Sequence, residues 1–235
     1  GTGTTLDAIP KRALLFVSGE SRATVVEHLT VTNGRSAFSS AWDSSGYVDQ
    51  LRQAGTKTAG VLSGGASMFG GSVMIRHSGP TLRHLLLSSS RAQYGGAIAM
   101  YKSNAQGHRP LLWNVSVDNA HANAEGGALH AHYKCFDWVG GSITGSQSGA
   151  GGSAIRASLL DGCVGNAETL LQDLRVESNT NTGTGYGFGA IWLRFTTLPT
   201  TIRNVVFRNN ISPRARDIYV TETHSNGQLL RLINN

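Results

Sequence analysis

The 235-residue sequence predicts an all-β chain wound as a right-handed parallel β-helix of about six to eight turns, and three recurrences carry that expectation. A glycine pair returns ahead of a short alternating strand. A second alternating strand precedes the glycines in each unit. A polar residue, most often Asn, stands between the second strand and the next glycine pair. Recurrence on this scale is the mark of a solenoid, whose units bury their apolar faces only by stacking on one another.

The glycine units align as Gly70-Gly71-Ser72-Val73, Gly95-Gly96-Ala97-Ile98, Gly126-Gly127-Ala128-Leu129, Gly152-Ser153-Ala154-Ile155 and Phe188-Gly189-Ala190-Ile191. Arg216-Asp217-Ile218 keeps the strand and loses the glycines. Each strand that follows has period two, so one set of side chains faces inward. That set is Val73/Ile75, Ile98/Met100, Leu129/Ala131, Ile155/Ala157, Ile191/Leu193 and Ile218/Val220. The second strand points Leu29/Val31, Leu85/Leu87, Val115/Val117, Leu174/Val176 and Val205/Phe207 inward, and the turn around Gly141–Ile143 fits this pattern less cleanly. Asn33, Ser89, Asn119, Ser178 or Asn179, and Asn209 occupy the bend between strands, where a stacked amide can hydrogen-bond turn backbone along the axis. The glycines permit a positive φ or a close approach between turns.

Gly95-Gly96-Ala97-Ile98 and Gly126-Gly127-Ala128-Leu129 resemble the GGA(I/L/V) motif of polymorphic outer membrane protein repeats. Phe207-Arg208-Asn209-Asn210 is similar to their FxxN motif, and Val176-Glu177-Ser178-Asn179 matches it with Val for Phe. The resemblance spans about residues 24–222 and implies a β-helix in an extracellular or cell-surface setting, of structural or adhesive use.

The whole chain, 1–235, reads as one domain, with residues 34–69 as an insertion in the first turns. Within it, Ser45 to Gly55 has the cap, apolar face (Tyr47, Val48, Leu51) and glycine stop of a short helix. Leu14, Phe16 and the segment Leu229 to Leu232 are expected to cap the two ends of the core. The chain opens on Gly1 with no signal-like segment, as a mature or excised fragment would, and no apolar run approaches a membrane span. Cys135 and Cys163 fall one turn apart, and adjacent turns lie about 4.7–4.9 Å apart, a separation a disulfide accepts. Such a bridge belongs to an oxidising compartment. Asn114-Val115-Ser116 and Asn210-Ile211-Ser212 are glycosylation sequons; Asn114 has outward parity, while Pro213 weakens the second.

Net charge is +6, with 16 Arg against 4 Lys, which favours anionic partners. The outward positions of the glycine-side strand are Met74/Arg76, Ala99/Tyr101, His130/His132, Arg156/Ser158, Trp192/Arg194 and Tyr219/Thr221, a face without a carboxylate. Rings stack on sugars and guanidinium forks hold carboxylate or sulfate. Tyr101, His130, His132, Arg156, Trp192 and Arg194 are therefore the candidate ligand-binding residues, for an acidic glycan or another protein of a surface assembly. Nucleic acid and cofactors are not expected. His130 and His132 share a face at two-residue spacing, but two imidazoles fall short of a closed metal site.

Two other function classes remain. A polysaccharide lyase or glycoside hydrolase would need a carboxylate pair, and the best is Asp118 and Glu177, two turns apart with Thr144 between them. Their separation, roughly 9–10 Å at strand spacing, sits near the upper end for an inverting pair. Arg208, one turn beyond Glu177, would pair with that acid and suits a general acid poorly. An ice-binding face would need a flat, even lattice, whereas the outward row Thr30, Leu86, Ser116, Ser142, Arg175 and Val206 is uneven.

Overall fold

The computed structural model describes residues 4–7, 12–16, 19–36, 69–101, 108–132, 134–158, 168–183, 188–194, 200–221 and 230–235. They form a parallel β-solenoid with three sheets and no helix. The long sheet has twelve strands, and a seven-stranded sheet carries the glycine-side strands. A short third sheet consists of Arg91–Ala92, His121–Ala122, Gln147–Ser148 and Thr180–Asn181. Four turns therefore bear strands on all three faces, fewer than the six to eight expected, while the seven-stranded sheet runs on past them.

The inward parity holds on both long faces. Val73, Ile98, Leu129, Ile155 and Ile191 share one core with Leu87, Val117, Ile143 and Val176, all fully buried. The registers stack like on like: Leu87, Val117, Ile143 and Val176 are neighbours along the axis. A strand shifted by one residue would turn its whole apolar set to solvent, so burial locks the register.

A second inward row, absent from the sequence reading, runs through Leu82, Leu112, Trp138, Leu171 and Ile202. It lies on the other side of a bend inside the long face. Residues at that bend adopt the left-handed conformation: His28, His84, Asn114, Asp173 and Asn204 have φ of 50–55°. The bend explains the irregular turn around Gly141. Gly141 occupies the inward register of Val115 without a side chain, and a Cβ there would lie 2.1 Å from the Val115 carbonyl oxygen. Trp138 fills the neighbouring core, and its Nε1–H donates to the Val115 carbonyl at 3.2 Å.

Of the polar bend residues, Asn179 has the expected part in an axial hydrogen-bond ladder, and the others have a different one. Asn33, Ser89, Asn119, Ser178 and Asn209 supply positive φ, 51–57°. The buried hydrogen-bond ladder is one residue later. Asn179 donates to the Ile143 carbonyl (3.0 Å) and to Asn210 Oδ1 (3.1 Å), and Asn210 donates to the Val176 carbonyl (2.9 Å). Asn210 is 2% exposed, so the second sequon is structural. Asn114 is exposed at its bend and bonds His84 Nδ1 at 3.0 Å.

The terminal segments extend sheets instead of lying across the core. Leu14–Phe16 pairs with Val73–Arg76, and Leu230–Ile233 pairs with Thr200–Arg203. Leu232, in the inward register of Ile202, stays 54% exposed. The Ser45–Gly55 helix and most of the 34–69 insertion lie outside the described residues, as does Cys163, so the bridge to the buried Cys135 is not placed. No helix among the described residues is long and apolar enough to cross a membrane.

Candidate functional site

Each glycine pair sets the start of a site-bearing strand, and its two members do so for different reasons. Gly95 has φ +60°, and a Cβ there would sit 2.0 Å from the Ile98 carbonyl oxygen. Gly96 is excluded from carrying a side chain by the next turn, since its Cβ would lie 2.2 Å from the Gly127 carbonyl oxygen. Backbone packed this tightly fixes the rungs that follow.

Those rungs bring the expected side chains into two continuous rows. Met74, Ala99, His130, Arg156, Trp192 and Tyr219 are register partners along one row, and Arg76, Tyr101, His132, Ser158, Arg194 and Thr221 along the other. The expectation of an open face without acids fails, however. Tyr101, His130, Arg156 and Ser158 are buried and His132 is largely so, while Trp192, Arg194, Tyr219 and Thr221 form a half-exposed end and Arg76 is half-exposed at the other.

Two features of the corner before each glycine pair cause the burial. Phe69 and Tyr94 stack at 5.0 Å and fold over the outside of the sheet, where Phe69 meets Tyr101 edge-on at 4.6 Å. With Met74, Ala99 and Ala124 they make a second apolar cluster outside the solenoid core. The other corner residue is Glu125. Its carboxylate stands 3.0 Å from Arg156 Nε and 3.4 Å from His130 Nε2.

This buried group is electrostatically coupled. Burial works to raise the Glu125 carboxyl, but contact with His130 and the charge of Arg156 outweigh it and hold the group at about 2. Burial lowers His132 to about 3, assisted by His130 and Arg156, and burial lowers His130 as well. Both rings are thus neutral near pH 7, stacked with centroids 5.9 Å apart, and Tyr101 Oη lies 3.3 Å from His130 Nδ1. Arg156 spans from Glu125 to Trp192, its Cζ 4.8 Å from the indole centroid. Among the described residues, no group of three or more His, Cys, Asp or Glu is arranged to hold a metal ion.

At the half-exposed end, Trp192 donates from Nε1 to Thr221 Oγ1 at 2.9 Å. Phe188 lies 4.7 Å from the Trp192 ring and stacks on Tyr219 at 4.3 Å, with the exposed Arg214 5.5 Å above it. Phe188, like Phe69 and Tyr94, stands in the sequence as an aromatic immediately before the first glycine of its unit.

On the long face, Asp118, Thr144, Glu177 and Arg208 are successive register partners, as their spacing indicates. Glu177 is also paired within its own strand, to Arg175 at 3.2 Å. The outward row Thr30, Leu86, Ser116, Ser142, Arg175 and Val206 likewise stands in register, mixing hydroxyls with Leu, Arg and Val. Lys134 is 1% exposed with no acceptor for its amine among the described residues, and burial lowers it to about 8.

No family model, no curated protein and no solved structure matches the chain, so the likeness to polymorphic outer membrane protein repeats rests on the short glycine and FxxN motifs alone.

Proposed function

We propose that the chain is a non-catalytic module of an extracellular or cell-surface protein and that it binds an acidic glycan at the Trp192 end of its glycine face. The observation that carries this reading is the pairing of a half-exposed indole with guanidinium groups. Trp192 and Arg194 are outward neighbours on one strand, Arg156 braces the indole from the buried side, and Arg214 caps the adjoining ring. A sugar ring stacked on Trp192 would place its carboxylate or sulfate near Arg194. Tyr101, His130, His132 and Arg156 then act beneath the contact surface, fixing the platform. The motif resemblance and a Cys135–Cys163 bridge, if formed, both fit an oxidising, extracellular setting.

Glycan-array binding at low and high salt tests the proposal, because a charge-led contact weakens with ionic strength. The parent protein is expected to retain carboxylated or sulfated glycans at low salt. The Trp192→Ala/Arg194→Ala variant is expected to keep its fold and lose them. Equal binding by parent and variant, or none by the parent, overturns the assignment. Release of reducing or unsaturated sugars would instead favour the enzyme reading, with Asp118 and Glu177 the residues to replace.

A further inference from the structure

The long sheet carries a groove of its own, away from the glycine face. It is an open groove of about 460 Å³, lined by Arg109, Glu168, Leu170, Thr201, Arg203, Arg231 and Ile233. That volume lies within the range of small-molecule sites. Three successive rungs build it, with Arg109 added from a rung two turns before them. Leu170, Thr201 and Arg231 are register partners in one outward row, and Arg203 and Ile233 in the next. Arg109 enters from the corner before Leu111–Asp118.

The charges of this groove are unevenly satisfied. Glu168, the one acid among its described lining residues, accepts the Thr201 hydroxyl. Arg109 is committed to Asp137, which Arg22 also holds, yet the buried Arg109 Nε finds no acceptor. Arg203 donates to the neutral Gln172 and its charge also acts on the nearby Asp173 carboxylate, but neither Arg203 nor Arg231 is within ion-pair distance of a carboxylate among the described residues. Their Cα atoms are diagonal neighbours on adjacent strands, about 8 Å apart from strand rise and spacing. Two exposed side chains of that length can converge on one anion from different sides, with Arg109 forming the third wall. Leu170 and the 40%-exposed Ile233 add apolar surface at opposite edges of the groove, with the Thr201–Arg203 strand between them.

We infer that this groove binds a small organic ester bearing a tetrahedral oxyanion, a phosphate or sulfate monoester of sugar size. Guanidinium groups arriving from several strands suit an anion with three terminal oxygens. A planar carboxylate is served by a single fork. The ester's body covers the apolar surface of Ile233, the register partner of Arg203, which an inorganic ion cannot do.

The test is calorimetric titration of the whole chain at constant ionic strength with inorganic phosphate, inorganic sulfate, a hexose 6-phosphate, a hexose 6-sulfate and acetate. Saturable binding of at least one ester, tenfold or more tighter than its inorganic ion and than acetate, is expected. Comparing the two esters identifies the natural oxyanion. Arg203→Ala and Arg231→Ala, both at exposed positions, are each expected to weaken ester binding tenfold or more. The Trp192→Ala/Arg194→Ala variant should bind the ester as the parent does, so failure here and failure of the glycan site are separable. Absence of saturable ester binding, acetate binding as tight as the ester, or an Arg203→Ala/Arg231→Ala protein that binds like the parent would each overturn the inference.

Discussion

Replacing Glu125 by Gln is the sharpest perturbation of the buried face. The substitution keeps shape and removes one charge. Arg156, 4% exposed, then has no counterion within the cluster, and His130 above it is neutral. Breaking a buried pair from one side costs about 3–5 kcal/mol. Because the Glu125 side chain is 22% exposed, the lower end of that range, about 3 kcal/mol, is the expectation here. Urea unfolding at pH 7, followed by intrinsic fluorescence, reads the change as a lower midpoint at unchanged slope. Glu125→Gln/Arg156→Met should recover much of the loss, since it leaves no charge to strand. Acid should act on the same cluster with a defined sign. His132 falls from 6.5 to about 3 on folding, so its contribution is complete above pH 6.5 and is lost as pH drops toward 3. The shift corresponds to a ceiling of roughly 4–5 kcal/mol, reduced by residual solvent contact. Glu125, depressed to about 2, adds stability present above its unfolded value near 4.3 and lost as pH falls through 2. His132→Gln should therefore flatten the decline between pH 6.5 and 4. A Glu125→Gln midpoint equal to the parent's, or no recovery in the double variant, would refute the account.

Val117→Asp places a carboxylate among Leu87, Ile143 and Val176 with no partner, and should cost at least about 3 kcal/mol; a melting temperature equal to the parent's would mean that the inward row is misassigned. Intact mass of the unreduced protein should be lighter by two hydrogens than that of the reduced form if Cys135 and Cys163 are joined, and thiol alkylation without reductant would count against the bridge.

How far the sequence alone reached can be judged residue by residue. Period-two alternation is a local property, and in a parallel solenoid each residue stacks on its counterpart one turn away. Aligning the repeats was therefore enough to place Val117 in the core and to put Asp118, Thr144, Glu177 and Arg208 on one row. It was also enough to bring His130, Arg156 and Trp192 together on another. The bend at His28, His84, Asn114, Asp173 and Asn204 left a fainter trace, a recurring His, Asn or Asp of the kind that tolerates positive φ, and its inward row went unread with it.

Exposure was another matter. Parity says which side of a sheet a side chain leaves, and nothing about what lies over that side. Phe69, Tyr94 and Glu125 come from corners that precede the strands, and they turned a nominally outward face into a second buried cluster around His130 and Arg156. The same holds for Asn114 and Asn210, both sequon asparagines but opposite in burial because one sits at an outer bend and the other in an axial hydrogen-bond ladder. The Arg109, Arg203 and Arg231 groove has no local signature at all, since its walls lie far apart in the chain and meet only where the rungs stack. Repetition with inward parity was written in the sequence because it is periodic. Which outward groups meet solvent was decided by tertiary packing, because that depends on non-repeating residues brought over the sheets from elsewhere.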